Sequence, residues 1–321
     1  MSSNKRIILI ISIMTLLFSS QNCNSSTKIH QFKEWVYIYH RAKISSHYLN
    51  EALIKNKLIC ITGYSINKEG SIKTDRTDTW KKVMNLKYST KKIIPLFSFA
   101  TPSSGINILS SKKLMTRFAL KIKNFLKKNN FKHLHFDFEH ISPRYSRNIV
   151  TFISIIKRHN PRPIISMALF PQIDFKKKRS QLHDVEALSK YLDYIVIMTY
   201  DYNDATTSAG PVTDKTWAEK NLRYFLKYYK SSNIYLGMPS YGYIWSKAKK
   251  TTSISAKYGS YLKKKYKARR HHSGCLKIKT GNPKNNIIYF ADKKTRLLLK
   301  KIALKYNCAG TALWRGGLED Q

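Results

Sequence analysis

Acidic residues are scarce in this chain: 18 Asp and Glu stand against 59 Lys and Arg among 321 residues, a formal net charge of +41. So positive a field attracts anionic partners such as nucleic acid, acidic lipid or an anionic cell-wall polymer. Lys, Ile, Asn and Tyr are abundant together along the whole sequence, so compositional drift is the alternative source of the charge. The densest basic run, Lys247 to Arg270, is the best candidate for a contact surface.

Motifs of several other enzyme classes are missing. The sequence has no glycine-rich phosphate loop, no G-x-S-x-G nucleophile elbow and no H-E-x-x-H zinc helix. His271 and His272 lie near Cys275, but without the paired-ligand spacing of a zinc site. We therefore expect a solvated basic loop there, and neither a metal nor another cofactor.

Cysteine is also sparse, with four residues in the chain. Cys60 lies in an apolar segment and is expected to be buried and inert. A disulfide between Cys275 and Cys308 is possible in an oxidising compartment, but the sequence alone does not establish it.

The first 22 residues have the layout of an export signal, with a basic pair before the apolar run Ile7 to Phe18 and small or polar residues after it. The apolar run is too short for a comfortable membrane span. Cys23 follows directly. We expect an exported protein, either secreted after cleavage or lipid-anchored at the cell envelope through Cys23, with residues 23–34 as a linker.

Strand-like and helix-like patterns alternate along the rest of the chain, which is 42% hydrophobic overall, as in a globular protein. Eight apolar segments have the character of strands, several of them continuous, as in strands covered on both faces. They lie near Trp35–His40, Leu58–Thr62, Ile93–Phe97, His133–Asp137, Pro163–Ala168, Tyr194–Thr199, Ile234–Met238 and Ala309–Trp314. The clearest amphipathic helices are predicted over Ser110–Asn129 and Thr213–Lys230.

Eight strand–helix repeats predict an α/β fold, a (β/α)8 TIM barrel formed by one domain over residues 35–321. An open doubly wound sheet is the alternative that periodicity does not exclude. The long basic segment 242–286 is expected to be an elaborated loop or small insertion after strand seven.

Two carboxylates follow the fourth predicted strand, in the segment HLHFDFEH over residues 133–140. Side chains alternate along a strand, so His135, Asp137 and Glu139 share one face. Close carboxylates repel, and one of them tends to hold its proton near neutral pH. A general acid needs that property, so the pair is the candidate catalytic group.

Other strand ends add aromatic rings and a third acid. The candidates are Tyr39, Met198, Tyr200, Asp201, Tyr241, Tyr243 and Trp314. Functional residues of a barrel lie at the carboxyl ends of its strands, so these side chains are expected around one mouth. Aromatic faces stack on pyranose rings, and carboxylates bond hydroxyls or protonate a glycosidic oxygen. The set indicates a sugar site.

The segment FKHLHFDFE resembles the strand-four signature DGxDxDxE of glycoside hydrolase family 18, the chitinase and chitobiase family. Its final D-x-E matches at Asp137 and Glu139, whereas Lys132, His133 and His135 replace the opening Asp-Gly and the first Asp of the core. Three later segments resemble the family's strands six, seven and eight in the right order. They are residues 193–203, 235–243 and 287–320, so the resemblance covers roughly residues 35–320.

The resemblance implies retaining, substrate-assisted hydrolysis of β-linked N-acetylglucosamine glycans, either chitooligosaccharide or peptidoglycan. Glu139 would be the acid and base, Asp137 would hold the acetamido nitrogen, and Tyr200 would bond the acetamido carbonyl. Asp201 would bond the sugar and Trp314 would stack beneath it. The remaining expected contacts are Met198, Tyr241, Tyr39 and His135.

His135 departs from the family pattern, in which an acid commonly shares a proton with the middle Asp. A histidine can still bond Asp137, and it would bias that carboxylate toward the ionised form. We therefore expect altered pH dependence with activity kept.

Two other functions stay open at this point. Catalytically silent, chitolectin-like relatives bind sugar, but they typically lose the acid that this chain keeps at Glu139. Nucleic-acid binding follows from charge alone and explains neither the carboxylates nor the export signal. We expect a monomer that binds an N-acetylglucosamine-containing glycan and no nucleic acid, with an anionic cell-wall or membrane surface as a further candidate partner.

Overall fold

Eight parallel strands close into a barrel in the computed structural model, which describes residues 31–86, 92–158, 162–246, 249–281 and 285–320. The barrel strands are β1 (Lys33–Ile38), β2 (Leu58–Ile66), β4 (Ile93–Phe99), β5 (His133–Phe136), β6 (Ile164–Leu169), β7 (Tyr194–Ile197), β8 (Ile234–Pro239) and β14 (Gly310–Trp314). Each pairs with the next in that order, and β14 pairs with β1 to close the ring. The predicted TIM barrel is confirmed, and the open doubly wound sheet is excluded. A short strand, β3 (Ile72–Thr74), pairs antiparallel with β2.

Helices connect the barrel strands and cover the outside of the sheet. They are α1 (Ser46–Ile54), α2 (Asp78–Met84), α3 (Pro102–Leu109), α4 (Lys112–Lys128), α5 (Ser146–Lys157), α6 (Lys177–Ser180), α7 (Val185–Ser189), α8 (Lys215–Phe225) and α10 (Lys293–Lys305). Among the described residues, no helix is both long and apolar enough to cross a membrane.

The helix boundaries follow capping residues. The Ser111 hydroxyl accepts from the Leu114 N–H at the start of α4, which ends at the predicted Asn129. The Asp214 carboxylate caps α8 by accepting two backbone N–H groups, and α8 ends at Phe225, earlier than predicted. Both helices bury one apolar face against the barrel, as the periodicity indicates.

The core has two layers. Inside the barrel, Trp35, Tyr37, Cys60, Leu96 and Tyr235 fill the interior, each at most 3% exposed. Between the barrel and the helices lies a larger apolar cluster that includes Phe118, Phe136, Phe152 and Leu222. The rigid barrel therefore fixes the positions of the side chains at its carboxyl ends.

The segment after β8 is a folded insertion with a sheet of its own. Its antiparallel strands are β9 (Tyr241–Trp245), β10 (Thr252–Ser255), β11 (Ala268–Arg270), β12 (Leu276–Lys279) and β13 (Ile287–Phe290), in the order β10-β9-β13-β12-β11. Helix α9 (Ala256–Lys265) covers one face. Arg270 and Asp292 form a bidentate ion pair that joins this sheet to the start of α10.

The described cysteines are all free thiols. Cys60 is fully buried in β2, as expected. The disulfide considered between Cys275 and Cys308 is absent, because the two residues lie in different parts of the fold. Cys275 is in the insertion and donates to the Thr213 carbonyl, whereas Cys308 precedes β14 at the amino end of the barrel. The predicted export signal and Cys23 lie outside the described residues.

Candidate active site

Asp137 and Glu139 lie just beyond the carboxyl end of β5, at the barrel mouth. The Asp137 N–H donates to the Phe97 carbonyl at 3.0 Å and continues the sheet pairing. Phe138, between the two acids, is fully buried and stacks on Phe99 with ring centroids 4.3 Å apart. Since neighbouring side chains alternate, burial of Phe138 turns both carboxyls to the opposite side, toward the cleft.

The surrounding protein makes ionisation of this pair unfavourable. Burial raises the pKa of Asp137 well above its ordinary value, and the charge of Glu139 raises it further. Burial likewise raises the pKa of Glu139, although the nearby His140 and Arg179 act to lower it. The pair therefore holds a proton at a higher pH than isolated carboxyls do, as the sequence interpretation requires.

One oxygen of Asp137 is left for a ligand. Within the described residues, Oδ1 of Asp137 is buried and has no hydrogen-bond partner. Such an atom costs free energy in the empty site, and a bound N–H donor would satisfy it. Asp137 also lines a cavity of about 370 Å³ together with Tyr39, Ser98 and Trp314.

Tyr200 is seated against β8 and is 7% exposed. Burial raises the pKa of its phenol well above the ordinary value, and the charges of Asp137 and Glu139 add to the effect. Gly237 makes room for the ring, because a Cβ there would lie 2.9 Å from Cε1 of Tyr200 and 2.4 Å from the Ile197 oxygen. The phenol therefore stays protonated and can act as a hydrogen-bond donor next to the two acids.

Asp201 is held by two tyrosines from the first strand of the insertion. The hydroxyls of Tyr241 and Tyr243 donate to its Oδ1 at 2.6 and 2.8 Å. Burial raises the pKa of Asp201 overall, although these two bonds act to lower it. Asp201 has a left-handed backbone with φ of 54°, which a non-glycine residue adopts rarely and often at functional sites.

Trp314 ends β14 and lines two cavities. One is the cavity that Asp137 lines, and the other, of about 390 Å³, is lined by Asp201, Tyr241 and Tyr243. The indole packs edge-on against Tyr37 with ring centroids 5.3 Å apart. The structure thus brings the two acids, Asp201 and the indole to one mouth.

Two other predicted contact residues lie differently. Tyr39 lines the cavity beside Asp137, and the guanidinium of Arg315 lies 4.6 Å from its ring centre. Met198 is 4% exposed and belongs to the apolar cluster outside the barrel wall. Its position is that of a packing residue.

His135 does not bond Asp137, and that expectation was wrong. The ring is fully buried one layer deeper in the barrel, where Nε2 lies 2.9 Å from the Tyr37 hydroxyl and Nδ1 lies 2.8 Å from the Ser166 hydroxyl. Burial lowers the pKa of His135 well below its ordinary value, so the ring is neutral. Because it is enclosed, His135 also offers no surface to a bound sugar.

His183 was not singled out from the sequence, yet it supports the catalytic strand. Its Nδ1 accepts from the Phe170 N–H at 3.0 Å, so its Nε2 carries the proton and donates to the Phe138 carbonyl at 3.3 Å. Burial lowers its pKa to about 4. His183 thereby ties the end of β6 to the backbone between the two acids. It lies in a turn with no motif, so only the long-range contacts could have found it.

A basic cluster next to the acids was also missed. Arg179 donates from Nη1 to Oδ2 of Asp204 at 3.3 Å, and Lys176 contacts the same oxygen. The charge of Arg179 acts on Glu139 and Asp201, lowering the pKa of each. His140 adds a ring nitrogen 3.8 Å from Oε2 of Glu139.

A closed (β/α)8 barrel with paired acids, a third acid and aromatic rings at its mouth is the arrangement of a glycosidase. The chain belongs to the glycosyl hydrolases family 18, whose family model matches residues 24–315. The match confirms the resemblance inferred from the four sequence segments.

Known relatives agree with the family. The chain is 25% identical over 225 residues to the uncharacterized glycosylase YvbX of Bacillus subtilis strain 168, over 67% of this chain and 65% of the relative. It thus spans slightly less than two thirds of that protein's length. The fold is similar to the spore cortex-lytic enzyme SleL of Bacillus megaterium, with TM-score 0.74 and 20% identity over 89% of this chain and 71% of that one. It is also similar to a chitinase from Chromobacterium violaceum, with TM-score 0.80 and 18% identity over 91% and 96%.

Proposed function

We propose that this chain is a retaining glycosidase that cleaves β-linked N-acetylglucosamine glycans with help from the substrate's own acetamido group. The observation that carries the proposal is the buried, unpartnered Oδ1 of Asp137 beside Glu139, in a cavity floored by Trp314. An acetamido N–H is a donor that would satisfy this oxygen.

In the first step, the proton held by the acid pair would pass from Glu139 to the glycosidic oxygen as the bond from that oxygen to the anomeric carbon breaks. The acetamido carbonyl oxygen would attack the same carbon and close an oxazolinium ring. Asp137 would accept the acetamido N–H and stabilise the positive charge, while the protonated Tyr200 hydroxyl would donate to the carbonyl oxygen and fix its direction.

In the second step, Glu139 would take a proton from water, and the resulting hydroxide would attack the anomeric carbon and open the ring. Two attacks on opposite faces return the original configuration, so the product is β. Trp314 would support the sugar face, and Asp201, fixed by Tyr241 and Tyr243, would accept from a sugar hydroxyl through its second oxygen.

Two substrates remain candidates within this reaction. The similar proteins include a spore cortex-lytic enzyme and a chitinase by their names, which supports peptidoglycan and chitooligosaccharide respectively. The net charge of +41 favours adhesion to an anionic wall polymer. The signal-like residues 1–22 and Cys23 support export and, through lipidation, attachment at the cell envelope.

The test is hydrolysis of chitotetraose and of peptide-free peptidoglycan glycan by wild type, by Glu139→Gln and by a control. Glu186→Gln on the exposed face of α7 makes the same chemical change away from the site. We expect Glu139→Gln to lose about 10²- to 10⁴-fold in kcat on either substrate, the usual contribution of a general acid, and the control to keep its activity. Sugar binding without turnover by wild type would instead identify a silent sugar-binding protein.

A further inference from the structure

A third cavity begins at His140, the residue that follows the catalytic acid in sequence. It has a volume of about 560 Å³, within the range of small-molecule sites, and its lining includes His140, Ser142, Phe170, Lys178 and Arg179. No acidic side chain lines it in the described part of the chain. Neither the catalytic steps nor the expected sugar contacts use these residues.

The topology places this cavity on the leaving-group side. In the ring of eight strands, β5 and β14 are four positions apart in either direction, so Glu139 and Trp314 face each other across the mouth. A sugar supported by Trp314 has its glycosidic oxygen at Glu139, and the chain beyond that oxygen must continue past Glu139. His140 follows Glu139 directly and lines the third cavity.

The cavity carries surplus positive charge. Asp204 is the partner of both Arg179 and Lys176, so one carboxylate faces two cations. Lys178 is exposed in the cavity wall and has no ion-pair partner among the residues that the structure describes. His140 is also largely exposed.

Arg179 has hydrogen-bonding capacity to spare. Its Nη1 reaches Asp204, whereas Nη2 and Nε have no acceptor within the described ranges, and the side chain is 31% exposed. A guanidinium with a free edge binds a carboxylate through two parallel bonds, which a hydroxyl cannot accept in the same way. A neutral sugar would leave Nη2 and Nε of Arg179 bonded only to water.

We propose that this cavity is the leaving-group subsite and that Arg179, assisted by Lys178, binds a carboxylate on the departing sugar. The inference rests on the proposed function and narrows its substrate class. The substrate is a glycan in which N-acetylglucosamine alternates with an acidic N-acetylhexosamine that bears an ether-linked carboxylate. Cleavage then leaves N-acetylglucosamine at each new reducing end and the acidic sugar at each new non-reducing end.

The experiment compares kcat/KM on three tetrasaccharides: the acidic glycan with free lactyl carboxylates, the same glycan with those carboxylates converted to methylamides, and chitotetraose. Wild type, Arg179→Gln and Lys178→Gln are measured beside Arg117→Gln, an exposed α4 residue that gives the same loss of charge. We expect Arg179→Gln to lower the ratio of kcat/KM for the acidic glycan over chitotetraose by about 10- to 100-fold, the scale of one charged hydrogen bond. Arg117→Gln should keep this ratio at the wild-type value. For wild type, the ratio of kcat/KM over chitotetraose should be lower for the methylamide glycan than for the glycan with free carboxylates.

An equal loss on all three substrates would overturn the inference while leaving the proposed function intact, because Arg179 would then act through Glu139. New reducing ends that carry the acidic sugar would also overturn it. If wild type cleaves none of the substrates, the proposed function itself fails. If Arg179→Gln does not fold without its bond to Asp204, Lys178→Gln decides the question. We expect Lys178→Gln to lower the ratio of kcat/KM for the acidic glycan over chitotetraose, by less than Arg179→Gln would. An unchanged ratio would contradict the inference.

Discussion

The hydroxyl of Tyr37 lies 2.9 Å from Nε2 of His135, in the interior of the barrel below the two site acids. With Ser166 on its other nitrogen, the ring has both hydrogen-bonding positions filled and does not reach Asp137. The residue that differs most visibly from the family pattern is therefore a part of the core. Its effect on Asp137 is through packing, and not through a shared proton.

We predict that His135→Ala lowers the free energy of unfolding by about 2–4 kcal/mol, since it removes two buried hydrogen bonds and leaves a cavity. The pH of maximal activity should stay unchanged in the fraction that folds. Urea denaturation and a pH–rate profile measure the two effects. A shift of the profile by one pH unit or more would show that the imidazole acts on the acid pair after all.

Buried neutral histidines predict a loss of stability in mild acid. Burial lowers the pKa of His183 to about 4 and that of His135 well below 6.5. The unfolded chain gains these protons first, so the stability that each neutral ring contributes is complete above pH 6.5 and falls as the pH drops below that value, down to about 4 for His183. The slope is about 1.4 kcal/mol per pH unit for each ring. His183→Gln should make urea-measured stability less dependent on pH by that amount, and an unchanged slope would contradict the assignment.

Asp137→Asn should inactivate the protein and stabilise it. Burial and the charge of Glu139 raise the pKa of Asp137, so the folded state loses stability relative to the unfolded chain as the pH rises from the ordinary carboxyl pKa of about 4 through the raised value. The neutral amide removes this cost at pH 8, with a gain of about 1 kcal/mol, the size typical of single stabilising substitutions. Thermal denaturation at pH 8 and pH 4 measures the gain, which should vanish at the lower pH. A variant less stable than wild type at pH 8 would refute the argument.

Gly237→Ala should disturb the position of the Tyr200 ring. A methyl group there would lie 2.4 Å from the Ile197 oxygen and 2.9 Å from the Tyr200 ring, so β7 or the ring must move. We expect a loss of about 1–3 kcal/mol in stability and a fall in kcat larger than any change in KM. Gly281→Ala is the matched control, because a Cβ at that position meets no atom of the described residues within 4 Å. Equal kcat values for the two variants would show that the position of Tyr200 does not matter.

The barrel was predictable because its strands are covered on both faces and therefore appear as continuous apolar runs, such as Ile93–Phe99 and Ile234–Pro239. The insertion sheet was not, since its strands are short and basic, as Ala268–Arg270 illustrates. The two acids were found because a D-x-E after an apolar strand is a local signal.

The depth of a side chain in the barrel and its contacts with residues distant in sequence could not be predicted from the sequence. Alternation placed His135 and Asp137 on one face, but not the layer at which each lies. His183 meets Phe138 across 45 positions of sequence, and Arg179 meets Asp204 across 25. Such pairs leave no local pattern, so the support of the catalytic strand and the basic cavity emerge only from the folded chain.

The central claim is that the acetamido group of the substrate attacks while Glu139 supplies and then removes a proton. Proton NMR of the first sugar released from an N-acetylglucosamine tetrasaccharide tests this most directly, because it reports the anomeric configuration before mutarotation. The account predicts the β anomer. Initial formation of the α anomer would show a single direct attack by water and would contradict it.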